Sequence, residues 1–297
     1  MRVAFAGTAP FAERVFAGLL GSRHAPVVLV TNPDRPRGRH GTPQPPAIKL
    51  VAEAAGVPVM QPARVDEPAA VEALLGFAPD VFVACAYGQI VGPPLREALP
   101  CLVVHPSLLP RWRGAAPVER ALMAGETELG VAVLRMTAAV DEGPVADERR
   151  VTVPREADAG RAYELLAPAA IASLLVTLDA MEDGTVEWRE QRGPATYAPK
   201  ITSEDRVIDW RRPALEIVDQ VRALSPHIGA VTELLGKRTT IWRARAGAGL
   251  PPGAPQDRLV MAAGQGWLEV LELQQEGRRR MSAADFLRGA GRALAGP

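Results

Sequence analysis

The chain has 297 residues, of which 47% are hydrophobic and 23% charged, and its formal net charge at pH 7 is zero. This balance is typical of a folded globular protein and excludes a disordered or fibrous chain. The length accommodates one large domain or two ordinary ones. The overall charge gives no sign of nucleic acid, although residues 207–297 carry 13 Lys and Arg against 9 Asp and Glu and are therefore mildly basic.

The two cysteines, Cys85 and Cys101, exclude a disulfide framework and a cysteine-based zinc site. Both lie in apolar runs, where a small buried thiol is the simpler interpretation. No apolar run approaches the roughly 20 residues that a membrane span needs. The apolar stretch after Met1 is shorter than that of a signal peptide and is interpreted as a first buried strand. We therefore expect a cytoplasmic protein without a membrane segment.

The first two-thirds of the chain alternates short apolar runs with helical patterns. Uninterrupted apolar runs suit strands that helices cover on both faces. The fold class is therefore α/β, with a doubly wound, mainly parallel sheet of Rossmann-like type. Ligands of such sheets bind beyond the carboxyl ends of the strands. Strands are predicted at residues 3–6, 27–30, 57–60, 81–84 and 102–104, helices at about 8–20, 47–55 and 67–75, and rim segments at 7–8, 32–34, 86–88 and 105–107.

The pattern changes after residue 158. Asp158 is placed to cap a long amphipathic helix that runs to about Met181, with Pro168 inside it as a point of kinking or splitting. Gly, Pro, Thr and charged residues at 185–206 predict a linker. Short alternating strands near 239–245 and 267–273 predict a small barrel. The predicted domains are thus residues 1–184, an α/β domain, and residues 207–297, a C-terminal barrel.

A strand-to-helix turn follows the first strand at Gly7-Thr8-Ala9-Pro10-Phe11. It lacks the second glycine that brings a pyrophosphate close to the backbone, so a dinucleotide cofactor is not expected. Capping of the following helix by Thr8 is the favoured interpretation.

The most informative stretch runs from His105 to Pro117, His-Pro-Ser-Leu-Leu-Pro-Arg-Trp-Arg-Gly-Ala-Ala-Pro. A lone histidine beside an apolar strand is by itself more often a satisfied core residue than a catalytic one. The whole stretch, however, closely resembles the signature of the folate-dependent formyltransferase family, and its Arg111-to-Pro117 extension resembles the methionyl-tRNA branch. Further similar elements are Met136 to Pro144, Thr31 to Arg39, Ile208-Asp209-Trp210 and Arg280 to Phe286, so the resemblance covers essentially the whole chain.

The resemblance implies a formyltransferase catalytic domain and a C-terminal barrel of oligonucleotide-binding (OB) type. It implies that His105 and Asp141 are catalytic and that 10-formyltetrahydrofolate is the co-substrate, without a metal. The partner that it implies is initiator methionyl-tRNA. Residues expected to contact folate are Ser107, Leu108, Leu109, Pro110, Tyr87 and Gly88, and residues expected to contact tRNA are Arg35, Arg37, Arg39, Arg243 and Arg245.

The residues suit this chemistry. An uncharged amine attacks the formyl carbon and generates a negatively charged oxygen, so the site needs a hydrogen-bond donor and a proton acceptor. His105 is a candidate for either role, and Asp141 a candidate for orienting His105 or for accepting the proton through water. For Arg243 and Arg245, which flank Trp242, an RNA-binding face and an ordinary solvated strand face are equally favoured.

Three positions depart from the family pattern. Val103 stands where the family has an asparagine two residues before the histidine, Leu129 where a threonine is usual, and Ala139 where a glycine is usual. Valine donates no hydrogen bond, and the loss of one oxyanion donor typically costs about 10²–10³ in rate. Weakened activity, ligand binding without activity, and substitutions specific to this sequence remain alternatives; an intact fold with impaired chemistry is our hypothesis.

Two other functions compete with this interpretation. A sugar-nucleotide or small-amine N-formyltransferase would share His105, Ser107 and Asp141, but the arginine-rich stretch from Arg35 to Arg39 and the barrel-like tail favour tRNA. A catalytically weak folate- or tRNA-binding relative would explain Val103. We expect the protein to be a monomer.

Overall fold

The computed structural model describes residues 1–37, 41–247 and 258–294. The chain divides into two compact units, each assembled from separated stretches. The first unit comprises Met1–Pro117, Glu128–Thr152 and Tyr163–Ala198, and the second comprises Val118–Thr127, Val153–Ala162 and Pro199–Pro297. The boundaries predicted from composition, 1–184, 185–206 and 207–297, stay predictions.

The elements alternate along the chain as the apolar pattern indicates. The strands are β1 (Val3–Gly7), β2 (Pro26–Val30), β3 (Arg35–Arg37), β4 (Thr42–Gln44), β5 (Val59–Met60), β6 (Val81–Cys85), β7 (Cys101–His105), β8 (Glu128–Arg135), β9 (Val145–Thr152), β10 (Ala230–Leu234), β11 (Lys237–Gly247), β12 (Leu259–Ala262), β13 (Trp267–Gln275) and β14 (Met281–Ser282). The helices are α1 (Pro10–Leu19), α2 (Ala47–Ala54), α3 (Pro68–Leu75), α4 (Pro93–Ala98), α5 (Pro117–Met123), α6 (Ala159–Glu182), α7 (Ala214–Leu224) and α8 (Ala283–Leu294), with a 3₁₀ turn at Glu204–Arg206.

The first unit contains a seven-stranded sheet in the order β5-β2-β1-β6-β7-β8-β9. The pairings from β5 to β7 are parallel, and β8 and β9 extend the sheet in antiparallel fashion. Every residue of β1 and β6 is buried, which explains their uninterrupted apolar sequences. The predicted doubly wound, mainly parallel sheet is confirmed. The carboxyl ends of β1, β2, β6 and β7 therefore meet at one edge.

Helix α6 is long and apolar enough to span a membrane by length and composition alone, contrary to the expectation from the sequence. Its side chains at Leu166, Ala170, Leu174 and Leu178 are completely buried. Since they recur every four residues, they form the apolar stripe of a helix packed on a core, and such a helix passes the same length test. The helix continues through Pro168, and Asp158 Oδ1 accepts the Arg161 N–H at 2.8 Å, as a cap does.

The second unit contains an antiparallel sheet in the order β10-β11-β13-β12, with β14 paired to β13. Its core joins α7 and α8 to the sheet through Ile217, Leu224, Ile241, Leu273 and Phe286. The strand domain expected at the C-terminus is therefore present. An OB-type barrel stays a prediction.

A buried ion pair connects the separated stretches of the second unit. The Arg222 guanidinium is 5% exposed and donates to Asp219 Oδ1 at 2.7 Å. It also donates to the carbonyl oxygens of Leu122 at 3.2 Å and Ala157 at 3.4 Å. Because a buried arginine needs several acceptors, this side chain fixes residues 118–127 and 153–162 to α7.

Candidate active site at the end of strand β7

His105 is the last residue of β7 and is 4% exposed. Its Nε2 lies 2.9 Å from the carbonyl oxygen of Trp112. A carbonyl oxygen only accepts hydrogen bonds, so Nε2 carries a proton and donates. Trp112 has a φ of +62°, a left-handed conformation that is strained for a residue with a Cβ. In this conformation the Trp112 carbonyl accepts the hydrogen bond from the His105 imidazole.

Asp141 faces the other imidazole nitrogen. Its Oδ2 lies 3.5 Å from His105 Nδ1, and its side chain is 9% exposed. The same oxygen accepts the Gly114 N–H at 2.9 Å. Asp141 also has a positive φ, +55°. The structure thus brings together the two residues predicted to be catalytic, 36 positions apart in sequence, with Nδ1 as the nitrogen on the carboxylate side.

The loop after His105 is stabilised by a hydrogen bond within the loop and by contacts with two other segments of the chain. The Ser107 hydroxyl donates to the Arg111 carbonyl at 2.7 Å. Leu108 packs against the backbone of Gly130, where an added Cβ would lie 2.2 Å from the leucine Cδ2. Pro110 is buried and accepts the Thr196 N–H at 3.2 Å. The folate contacts expected of these residues and of Leu109 stay predictions.

Val103 lies two residues before His105 on the same face of β7, since side chains alternate along a strand. It pairs in register with Ala84 and Leu134. Its side chain packs against an apolar cluster of Ala132, Leu134 and Val145, which Leu109 also contacts. The position usually held by asparagine is therefore part of an apolar wall beside the histidine.

The other two departures from the family pattern lie elsewhere. Leu129 is 4% exposed on β8. Because it alternates with Gly130 and Ala132, it lies on the face of β8 away from Val103. Ala139 is exposed, and its carbonyl oxygen accepts the Thr137 hydroxyl at 3.0 Å. The structure does not bring Leu129 to the site.

Tyr87 and Gly88 follow β6 at the same edge of the sheet. Tyr87 is 4% exposed, and its hydroxyl has no hydrogen-bond partner among the described residues. Burial raises the pKa of this phenol above its ordinary value. Gly88 has a φ of +82°, where a side chain would be strained.

A polar network supports this edge. Asn32 Nδ2 donates to the Tyr87 carbonyl at 2.9 Å and to Thr8 Oγ1 at 3.0 Å. Thr8 does not cap α1; Ala9 is the capping position and no side chain bonds there. The predicted cap is wrong because the helix begins at Pro10, one residue later than capping by Thr8 requires, and the Thr8 hydroxyl accepts from Asn32 instead. Hydrogen bonds from Gln61 and then from Lys49, which pairs with Asp34 at 3.1 Å, hold the pKa of the Asp34 carboxyl below its usual value.

The arginine-rich stretch begins directly after Asp34, where β3 pairs with β4 in a two-stranded ribbon. Arg35 is exposed on it. The side chain of Arg37 and all of Arg39 lie outside the described residues. The tRNA contacts expected of the three arginines stay predictions.

Arg243 and Arg245 are both exposed on β11, with 64% and 61% of their side chains accessible. Each is paired with a glutamate of β13: Arg243 with Glu272 at 3.4 Å and Arg245 with Glu269 at 2.7 Å. Arg258, with Arg245, lowers the pKa of Glu269. The two arginines are thus accessible to a partner, but each is already paired with a carboxylate.

Sequence reasoning missed four groups that contact the site. Two are backbone groups, the Trp112 carbonyl and the Gly114 N–H, which no side-chain motif encodes. The other two, Gln191 and Thr196, lie in the stretch assigned to a linker. Thr196 Oγ1 accepts the Trp112 N–H at 2.9 Å, and Gln191 Nε2 donates to the Asp141 carbonyl at 2.8 Å.

In the described ranges, no group of three or more His, Cys, Asp or Glu side chains is arranged to hold a metal ion. Comparison with known proteins decides the family. A family model described as formyl transferase matches residues 1–177, and a second, formyl transferase C-terminal domain, matches residues 200–291.

The chain belongs to the formyl transferase family.

Relatives of nearly equal length support this assignment. A protein of Rubrobacter xylanophilus named methionyl-tRNA formyltransferase is 47% identical over 97% of both chains. One of the same name from Methylobacterium is 40% identical over 97% of this chain and 96% of its own. His105 and Asp141 are therefore the buried pair of a formyl transferase family member.

Solved structures share the formyl transferase fold at low identity. HypX from Aquifex aeolicus in complex with tetrahydrofolic acid superposes with a TM-score of 0.71 at 19% identity, covering 100% of this chain and 48% of that one. Methionyl-tRNA formyltransferase from Clostridium thermocellum superposes at 0.58 and 15% identity, over 82% and 93%. These similarities show the fold.

Proposed function

We propose that this chain transfers the formyl group of 10-formyltetrahydrofolate to the α-amino group of methionine on initiator tRNA. The observation that carries the proposal is the buried His105–Asp141 pair, 3.5 Å apart at the rim of the sheet. The methionyl-tRNA formyltransferase name of the full-length relatives supports the choice of acceptor. We further propose that the protein is cytoplasmic and a monomer; sedimentation of the purified protein tests the monomeric state.

The geometry divides the work between the two imidazole nitrogens. Nε2–H is bound to the Trp112 carbonyl, so Nδ1 is left to accept a proton. As the amine nitrogen bonds to the formyl carbon, its proton passes to Nδ1, directly or through one water. The imidazolium then faces the Asp141 carboxylate, and opposite charges at this distance in a buried site stabilise each other. When the carbon–N10 bond breaks, that proton moves to N10 of tetrahydrofolate, which completes the exchange.

The buried Tyr87 hydroxyl, at the edge of the sheet that carries His105, suits binding of the co-substrate. The buried Tyr87 hydroxyl lacks a partner among the described residues, and such a group usually has a ligand or water to satisfy it. A pterin ring presents both donors and acceptors to a group of this kind. The same edge carries Gly88, whose absent side chain leaves the backbone accessible.

Val103 weakens the stabilisation of the negatively charged oxygen that forms during the reaction. Val103 supplies no donor, and its apolar neighbours on β8 and β9 supply none from their side chains. Stabilisation then depends on protonated Nδ1 or on water, so we propose activity below that of an enzyme with asparagine at this position.

The test is formyl transfer from 10-formyltetrahydrofolate to three acceptors: initiator methionyl-tRNA, elongator methionyl-tRNA and a nucleotide-linked amino sugar. Turnover on initiator methionyl-tRNA, lost in a His105→Asn variant, supports the proposal. Turnover on the amino sugar alone would replace it with small-amine formylation. Binding of initiator tRNA without turnover would make the chain a binding protein.

A further inference from the structure

We propose that Gln191 is a positioning residue, which holds the loop carrying Asp141 so that the carboxylate faces His105. The proposal rests on the function proposed above for the His105–Asp141 pair. Gln191 belongs to the stretch 189–198, which is part of the segment 185–206 that composition alone assigns to a linker.

The Gln191 side-chain amide forms all the hydrogen bonds that it can form. Its Nε2 donates to the carbonyl oxygens of Asp141 and Gly143, both at 2.8 Å. Its Oε1 accepts from Arg113 Nε at 3.1 Å and from Nη2 at 2.8 Å. Two donors and two acceptor sites are all that a glutamine amide offers. The side chain therefore has one fixed orientation, and that orientation defines the path of the loop.

The loop requires such a constraint because its backbone is strained. Asp141 has a φ of +55°, a left-handed conformation that a residue with a Cβ keeps only when its surroundings impose it. Gly143 passes so close to β8 that an added Cβ would lie 1.8 Å from the Arg135 carbonyl oxygen. Gln191 binds the carbonyl oxygens of both residues, one on each side of Glu142.

The stretch that carries Gln191 is itself fixed at both ends. Arg189 and Val145 exchange two backbone hydrogen bonds, at 2.8 and 2.9 Å. The backbone N–H of Arg113 donates to the Thr196 carbonyl at 2.9 Å, and the Arg113 carbonyl accepts from the Ala198 N–H at 2.7 Å. The position of Gln191 is therefore set by ordered backbone rather than by a flexible tether.

Arg113, which binds the Gln191 side chain, also contacts the Asp141 loop directly, because its Nη1 lies 3.1 Å from Glu142 Oε1. The peptide that follows it supplies the Gly114 N–H bound by the Asp141 carboxylate. Asp141 is thus fixed through its carboxylate by Gly114 and through its carbonyl by Gln191. Loss of the second constraint lets the carboxylate move away from Nδ1 while the fold is retained.

The first experiment compares Gln191→Glu and Gln191→Ala with the exposed neighbour Glu187→Gln as control. Glutamate keeps an acceptor for Arg113 but cannot donate to the carbonyl oxygens of Asp141 and Gly143. The variant therefore removes these two hydrogen bonds alone. We expect Gln191→Glu to lower kcat about 10- to 100-fold, as a displaced catalytic group does. The KM for tRNA and folate and the melting temperature should stay close to those of the control.

Coupling to Asp141 separates positioning from a general structural role. In an Asp141→Asn background, Gln191→Glu should cause less than a twofold further loss of kcat, because residues acting as a unit are not additive. A full second loss in that background would overturn the proposal, as would wild-type kcat in Gln191→Glu.

A measurement without substrate keeps the proposal independent of the acceptor. The imidazole ¹⁵N resonances of His105, assigned with a His105→Asn variant, should shift in Gln191→Glu as they do in Asp141→Asn, and not in Glu187→Gln. Unchanged resonances in Gln191→Glu would refute positioning. If the wild-type chain fails to formylate methionyl-tRNA, the proposed function falls, whereas these resonances still decide the role of Gln191.

Discussion

Thr196 Oγ1 accepts the backbone N–H of Trp112 at 2.9 Å, although 84 residues separate the two in sequence. The contact holds Trp112 in a left-handed conformation, from which its carbonyl binds His105 Nε2. The Thr196 hydroxyl thereby acts on the His105 imidazole through one residue, Trp112. Its removal should affect the chemistry more than substrate binding.

We expect Thr196→Val to lower kcat about tenfold, because a misdirected catalytic group loses rate without losing binding. Thr196→Ser keeps the hydroxyl and should retain kcat within about twofold. Steady-state kinetics with KM determined for both substrates checks this. Equal kcat in the valine and serine variants would show that the Trp112 conformation does not depend on this bond.

Val103→Asn should raise kcat, by up to about 10²-fold, because it introduces a hydrogen-bond donor two residues from His105 on the same face of β7. The amide enters an apolar cluster, so the free energy of unfolding should fall by about 1–3 kcal/mol in the absence of substrate. Single-turnover transfer and urea unfolding measure the two effects. Val103→Leu is the control, and a gain in that variant too would point to packing instead of a donor.

Tyr87→Phe removes a buried hydroxyl that has no partner among the described residues. Since the substitution removes no hydrogen bond to any described residue, the free energy of unfolding should stay equal or rise by up to about 1 kcal/mol. If folate engages the hydroxyl, KM for 10-formyltetrahydrofolate should rise about tenfold while KM for tRNA stays constant. Tyr197→Phe, at an exposed side chain, is the control. An unchanged folate KM would remove Tyr87 Oη from the binding site.

Asp205 should make the second unit sensitive to acid. Hydrogen bonds from Arg120 lower the pKa of Asp205 from 3.8 to about 2. A carboxyl whose pKa is lower in the folded state stabilises the fold above its unfolded pKa, and this contribution disappears as the pH falls from about 4 to 2. Solvent screening reduces it to about 1 kcal/mol. Asp205→Asn should lose this share of the pH dependence in thermal unfolding, whereas Glu204→Gln should keep it; identical curves for both would refute the assignment.

Arg243→Gln should weaken binding of initiator tRNA and reduce the slope of log affinity against log salt by about one, if Arg243 contacts a phosphate. Glu272 keeps Arg280 as a partner at 2.6 Å, so stability should change little. Arg35→Gln tests the β3–β4 ribbon in the same way. Folate binding should stay constant in both variants. A salt slope equal to that of the wild type would place the tRNA elsewhere.

The sequence by itself determined the parallel part of the sheet in the first unit. Strands such as β1 and β6 are buried on both faces, so their side chains form apolar runs that local patterns reveal. Strand ends lie at one edge of a parallel sheet, so His105 could be placed on the rim without coordinates. Antiparallel β8 was not identified, although its interior residues form a buried apolar run. Antiparallel β9 was not identified because it mixes charged and apolar residues on a half-exposed edge.

Only the tertiary structure decided how the site is held. The Trp112 carbonyl and the Gly114 N–H are backbone groups, whose direction depends on dihedral angles and not on side-chain identity. Gln191 and Thr196 come from a stretch whose composition matches a linker, and their importance follows from contacts with residues about 50 and 84 positions away. Composition reports local preference, whereas hydrogen bonds between distant segments exist only once the chain has folded.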